Sequence, residues 1–294
     1  MAETVRAAAA ARIHPETTMG TVRLTVQDLE CSRTFYERAI GLTATELDDD
    51  ALAFGVGDEW PLIELQGVRS APRLERSAPG LYHLAILLPS RVELAFALAR
   101  LAEVRWPLDG ASDHLVSEAL YLSDPDGNGI EIYRDRPREE WPRQDDRIQM
   151  ATLPLDLHSV LGELRDASEL RPGAASGTKM GHVHLQVSDL DEAEAFYHGV
   201  LGFDVMVRTY PGALFVSAGG YHHHLGLNTW QSAGSPPGTP GAVGLRSFDV
   251  VLPAHEELES VLASVKAAGI ESEIVGPDAF VRDPFGNGVL LRAR

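Results

Sequence analysis

The chain has 294 residues, 44% of them hydrophobic, with a formal net charge of −18 and a pI near 4.9. An acidic surface argues against nucleic acid and anionic membranes as partners, and no run approaches the roughly 20 apolar residues that span a bilayer. The one cysteine, Cys31, rules out an intramolecular disulfide and fits a reducing compartment, the cytoplasm.

Residues 1–18, "MAETVRAAAAARIHPETT", carry an alanine run broken by Arg12 and lack a signal peptide's leucine-rich core and cleavage site. They read as a mobile arm. From Met19, "MGTVRLTVQDLECSRTFYERAIGL" alternates at period two, turns at Asp28–Leu29, and continues at helical period to a glycine. From Gly80, "GLYHLAILLPSRVELAFALARL" is again strand then helix, and it leads to "SDPDGNGIEIY" (Ser123 to Tyr133), whose D-P and G-N-G are turn chemistry between two strands. Residues 137–178 read as a polar, proline-bearing linker with a short helix. Then "MGHVHLQVSDLDEAEAFYHGVLGF" from Met180 restates the first unit, and "GLRSFDVVLPAHEELESVLASV" from Gly244, closing in "RDPFGNGVLL", restates the second. One strand–helix–three-strand module thus occurs four times: A (19–68), B (79–136), A′ (179–231) and B′ (243–294). The expected class is α+β, with a two-module domain over 19–136 and another over 179–294. "QSAGSPPGTPGA" (Gln231 to Ala242) is a Gly/Pro loop that reads equally as a connector or a lid.

Inside A′, "GGYHHHLGLNTW" places three histidines in a row. Read as a strand, it sends His222 and His224 to one face and His223 to the other.

Four such modules, together with "GLYHLAI", "SEALYLSDPDGNGIE" and "ALFVSAGGYHHH", resemble the vicinal oxygen chelate superfamily (glyoxalases, bleomycin resistance proteins, extradiol dioxygenases) and, more closely, the bacterial two-domain catechol 2,3-dioxygenases. The resemblance covers nearly all of residues 19–294. It implies βαβββ modules that pair into two incomplete barrels, one cupping a divalent metal held by two His and one Glu, with open positions for catechol and O₂. At the matching positions stand His83 in B, Glu131 at the end of B and His182 in A′. The outer modules have Thr21, Ser247 and Leu290 there, none of them a residue type expected to ligate iron. His182 joins His83 and Glu131 within one barrel only if B pairs with A′ and A with B′. The residues alone add one argument: Glu131 between two isoleucines on a buried strand is costly unless paired or metal-bound. His184 shares the His182 face as a further polar group, and Glu64 faces solvent or the metal-free barrel.

The resemblance also assigns His223 to proton transfer, with His224 taking its place if the strand is bulged. It places Tyr121, ten residues before Glu131, against substrate, and His114 nearby on the preceding segment. The implied function is extradiol cleavage of catechol or a substituted catechol with O₂. The implied cofactor is Fe(II); Mn(II) binds the same donors, and Zn or Ni can replace it in a purified sample. The alternatives are a glyoxalase-type isomerase or lyase, which uses four protein ligands, and a non-catalytic small-molecule binder. The partners expected are a small aromatic diol and O₂, with a homo-oligomer left open.

Overall fold

Each D-L turn of the repeated sequence becomes a helix N-cap. The Asp28 carboxylate accepts from Cys31 N, the Asp189 carboxylate accepts from Asp191 N and Glu192 N, and Ser90 caps the helix of module B. These side chains satisfy amides that have no partner within the first helical turn. The computed structural model describes residues 12–57, 60–73, 75–145, 147–164 and 173–294.

Module A comprises β1 (Thr18–Val26), α1 (Leu29–Phe35) running into a π-helical turn (Tyr36–Ile40), β2 (Thr43–Asp48), β3 (Ala51–Gly55) and β4 (Ile63–Gly67). Module B comprises β5 (Gly80–Leu88), α2 (Arg91–Glu103), β6 (Gly110–Asp113), β7 (Ser117–Ser123) and β8 (Gly129–Asp135). The linker holds the short pairing strands β9 (Arg143–Gln144) and β10 (Arg147–Ile148), then β11 (Leu153–Pro154) and α3 (Leu157–Leu161). Module A′ has β12 (Lys179–Gln186), α4 (Leu190–Tyr197), β13 (Asp204–Val207), β14 (Ala213–Ser217) and β15 (Leu225–Asn228). Module B′ has β16 (Gly244–Leu252), α5 (His255–Ala267), β17 (Ser272–Val275), β18 (Asp278–Arg282) and β19 (Gly288–Ala293).

Two sheets result, ordered β17-β18-β19-β16-β1-β4-β3-β2 and β11-β6-β7-β8-β5-β12-β15-β14-β13. In every module the first strand pairs parallel with the last. The modules then join antiparallel, β1 to β16 and β5 to β12. B therefore shares a sheet with A′, and A with B′, so each half of the sequence contributes one module to each incomplete barrel.

Strand alternation sorts the two faces. Leu84 and Ile86 on β5, Val183 and Leu185 on β12, Val22 and Leu24 on β1, and Phe248 and Val250 on β16 all enter one core. Each buried side chain of this kind contributes roughly 1.5–3 kcal/mol. The opposite parity, His83 and Ala85 on β5 and His182 and His184 on β12, is left for the other face. Consecutive modules are also tied together. Tyr36 of A donates to Asp124 in the turn of B (3.1 Å), and Tyr197 of A′ donates to Asp283 in the turn of B′ (2.9 Å).

Residues 1–11 of the expected mobile arm lie outside the described residues. Residues 12–17 are anchored: Ile13 is buried and its N–H donates to Gly202 O at 2.9 Å. Among the described residues, no helix is long and apolar enough to cross a membrane.

Candidate metal centre

The register of the B–A′ sheet assembles the site. Glu131 on β8 stands beside Ala85 on β5, and Ala85 stands beside His182 on β12. Tyr121 on β7 extends this row on the far side of Glu131. Ala85 puts only a methyl group in the middle, so Glu131 and His182 reach toward each other across it. His83, two residues from Ala85 and on the same face, closes the triangle.

The triangle is tight. His83 Nε2 lies 3.0 Å from Glu131 Oε2, His182 Nε2 lies 3.1 Å from that oxygen, and the two nitrogens are 3.3 Å apart. Three donors bound at right angles, each about 2.1 Å from one cation, stand about 3.0 Å from each other. The donor set therefore fits one face of a six-coordinate divalent metal and leaves the opposite face free. Hydrogen bonds alone serve the triangle poorly, since two imidazole nitrogens confront each other along its third edge. Among the described residues, this is the cluster of metal-ligating side chains whose donor atoms converge. All three residues are buried.

The protonation states suit metal binding. Burial opposes charge on Glu131, but hydrogen bonds and charge from His182 and His83 outweigh it and hold the carboxyl well below the usual range. Burial pushes the His182 imidazolium down to about 4, against the pull of Glu131. At neutral pH the site thus offers one carboxylate and a neutral His182 imidazole, the forms that ligate. His184, two residues on, is not a fourth donor of this set. The Asn228 amide donates to its Nε2 at 3.0 Å, which occupies that lone pair.

The histidine trio is not strand. β15 begins at Leu225, and His222 to His224 form the turn leading into it. Gly219 and Gly220, at φ +58° and +66°, end β14 with a left-handed turn that other residues resist. The trio still divides as alternation suggests. His223 lines the large pocket beside the metal candidates, with its ring 4.1 Å from that of His182. His222 and His224 point away: His222 Nε2 lies 2.9 Å from Asp135 Oδ1, and His224 Nδ1 accepts from Ala218 N.

Asp135 can only accept while ionised, so His222 Nε2 carries the proton between them. A neutral His222 then has a lone pair on Nδ1, and His223 Nδ1, 2.8 Å away, donates to it. This leaves His223 Nε2 as a free lone pair. Burial, with neighbouring histidines, holds the His223 imidazolium well below its ordinary value, so the ring is neutral. Tyr221 donates to the same carboxylate at 2.9 Å.

Tyr121 and His114 meet each other. The Tyr121 hydroxyl lies 2.6 Å from His114 Nε2, and His114 Nδ1 donates to Ala151 O at 2.7 Å. The carbonyl fixes the proton on Nδ1, so with a neutral imidazole Tyr121 is the donor to Nε2. Burial, reinforced by Glu131, raises the Tyr121 pKa well above 10, so it stays a phenol.

These groups border a cavity of about 490 Å³. Its remaining walls include Tyr82, Tyr210, Phe215 and Trp230, which sequence reasoning did not single out. Asp135 was also missed, though it closes the "GIEIYRD" strand four residues after Glu131. Among the described residues, none of 231–242 lines this cavity. That loop is fastened elsewhere, by Ser188 Oγ to Ser235 O and Ser232 Oγ to Val187 O.

The equivalent face of the outer barrel is closed by ion pairs. Asp249 takes the place of Ala85 and pairs with Arg23 and Arg292, and Arg23 also pairs with Glu64 at 2.8 Å. Thr21 donates to Pro61 O.

The sequence pattern of the Glyoxalase/Bleomycin resistance protein/Dioxygenase superfamily matches residues 18–132 and 179–291. The chain is 48% identical to the Catechol-2,3-dioxygenase of Bacillus subtilis over 282 residues, covering 95% of this chain and 98% of that one. Among solved structures, a putative dioxygenase from Bacillus subtilis superposes with a TM-score of 0.69 at 15% identity, over 96% of this chain and 86% of that one. Glyoxalase I from Zea mays superposes with a TM-score of 0.57 at 15% identity, over 94% and 92%.

Proposed function

Since the chain belongs to the Glyoxalase/Bleomycin resistance protein/Dioxygenase superfamily, we infer that it is a metal-dependent extradiol dioxygenase that opens the ring of a catechol with O₂. The observation that carries this is the near full-length 48% identity to a catechol-2,3-dioxygenase. The two-histidine, one-carboxylate face supports it. The glyoxalase-type alternative expects a second carboxylate from the last strand of A′, and β15 reads Leu225, Gly226, Leu227, Asn228.

In this reading His83, Glu131 and His182 hold Fe(II), the metal best suited to this donor set and to O₂; Mn(II) takes the same donors. When bound, the metal supplies a common anchor for the diol and O₂ and a route for electrons between them. The chain's own groups do the rest. His223, which lines the pocket and in this tautomer keeps the Nε2 lone pair uncommitted, accepts a proton from a catechol hydroxyl. It returns that proton as the ring bond next to the diol breaks and both oxygen atoms enter the product. Asp135 and His222 keep His223 in the tautomer that can do this. Tyr121, whose proton goes to His114, turns its phenol oxygen beside Glu131 as an acceptor for a catechol hydroxyl. The buried walls keep bulk water from these groups. The single cysteine fits a reducing compartment such as the cytoplasm.

The test is to load purified protein anaerobically with Fe(II), then add catechol and air. Stoichiometric O₂ uptake with a yellow ring-opened product is expected, and His182→Ala should lose both iron and uptake. Iron-loaded protein that consumes no O₂ with any catechol would overturn the reading.

A further inference from the structure

The cavity is much larger than the metal end requires, and its far wall is aromatic. Strand β5 has one residue more than β12 here: His83 faces His184, yet Leu81 faces Leu185. Tyr82 is the extra residue, and a bulge re-aims its side chain. Both Tyr82 and His83 therefore line the same cavity. Tyr82 packs edge-on to Trp230 at 5.3 Å and to His184 at 5.0 Å, while His184 reaches Phe215 at 5.8 Å and Phe215 reaches His223 at 5.0 Å. A continuous aromatic surface thus runs from the proton-transfer histidine to the mouth. At the mouth Tyr82 and Trp230 remain 37% and 44% exposed. Trp230 is held in place there, its indole N–H donating to Pro211 O at 3.0 Å.

The charges lining the cavity point the same way. Among the described lining residues there is no Arg or Lys, and apart from Glu131, which belongs to the metal face, the charged lining side chain is the acidic Asp109. The chain as a whole carries −18. A substrate carboxylate drawn into this space would shed water and meet no cation from the wall. A cavity of about 490 Å³ falls within the range of roughly 300–1,000 Å³ that accommodates drug-sized ligands.

We propose that the site is built for an uncharged catechol bearing an apolar, ring-sized substituent, which lies against the Tyr82–His184–Trp230 wall, and that it discriminates against carboxylated catechols. This rests on the ring-cleavage reading above. Offset and edge-on contacts between rings supply the selectivity, and the missing counter-charge supplies the rejection.

The test compares kcat/KM of the Fe(II)-loaded protein for catechol, phenylcatechol and dihydroxyphenylacetate. It is paired with anaerobic binding of the same three followed by tryptophan fluorescence. Phenylcatechol should exceed dihydroxyphenylacetate by roughly 10²-fold in kcat/KM. Trp230→Ala should shrink the phenylcatechol-to-catechol ratio several-fold, and Trp230→Arg should raise the dihydroxyphenylacetate-to-phenylcatechol ratio. Dihydroxyphenylacetate used as well as phenylcatechol, or ratios unmoved by both variants, would overturn the proposal. If no catechol is turned over, the ring-cleavage reading fails, and the binding order decides the ligand class alone: tighter phenylcatechol sustains it, equal affinities overturn it.

Discussion

His223 owes its free nitrogen to residues that never reach the pocket. Asp135 Oδ1 lies 2.9 Å from His222 Nε2, and His222 Nδ1 lies 2.8 Å from His223 Nδ1, so in the neutral-ring tautomers each N–H points along this chain toward Asp135. His223→Asn should keep iron near one per chain and slow ring opening by roughly 10²-fold, the scale of a positioned proton shuttle. Wild-type turnover in that variant would refute the role. Asp135→Asn removes the charged acceptor but leaves the metal donors untouched. We expect iron retention by metal analysis, kcat lower by about tenfold or more, and partial recovery in Asp135→Glu. Loss of iron in Asp135→Asn would instead mark Asp135 as a support of the metal face.

At the scale of elements, Glu118 on β7 gathers Arg91 at the start of α2 (2.8 Å) and Arg134 on β8 (2.7 Å), while Arg91 continues to Glu163 beyond α3. Burial would raise the Glu118 carboxyl, but hydrogen bonds from Arg91 and Arg134 prevail and hold it below its ordinary value. A depressed carboxyl contributes stability in full above the unfolded value of about 4.3, and that contribution is lost as pH falls through the lower folded value. Glu118→Gln should therefore lower Tm at pH 7 by the equivalent of about 2 kcal/mol, with the gap to wild type closing in acid. A gap that does not change with pH would contradict this.

The same elements show what could be read in advance. The convergence of His83, Glu131 and His182 was legible because it follows strand register, and the repeat exposed that register four times over. Tyr82 was not legible, since parity alone sends it to the face opposite His83, and only the extra residue on β5 turns it inward. The matching bulge on β12 falls at Gly181, where a Cβ would collide with the Tyr133 hydroxyl. The histidine trio shows the converse: its facing could be read although its backbone is a turn. Two positive-φ glycines in succession were the available signal. Trp230 and Asp135 became visible only once separate strands had been brought together.

On the scale of the whole molecule, two pseudo-equivalent barrels spend the same positions differently. One brings His83, Glu131 and His182 together around the small Ala85. The other puts Asp249 there, fully buried, between Arg23 and Arg292. Asp249→Ala should destabilise by about 3–5 kcal/mol, because two arginines lose their shared partner, while metal content stays at one per chain. A second equivalent of bound metal in the wild type would contradict a metal-free outer barrel. Removing the metal should lower Tm, with the shift growing logarithmically with free metal, about 2.7 kcal/mol at a hundredfold excess over Kd.

The crosswise sheets make the proposed metal face a joint possession of the two halves of the chain: Glu131 and His83 come from one, His182 from the other. In a single polypeptide the linker keeps the halves at a fixed high local concentration, so dilution leaves occupancy of the triad unaffected by chain separation. Split within the linker and produced as two polypeptides, neither half owns three donors, and metal retention becomes bimolecular. It should appear when the halves are mixed and fade as the mixture is diluted, so the bound ion would report how firmly the two halves hold each other.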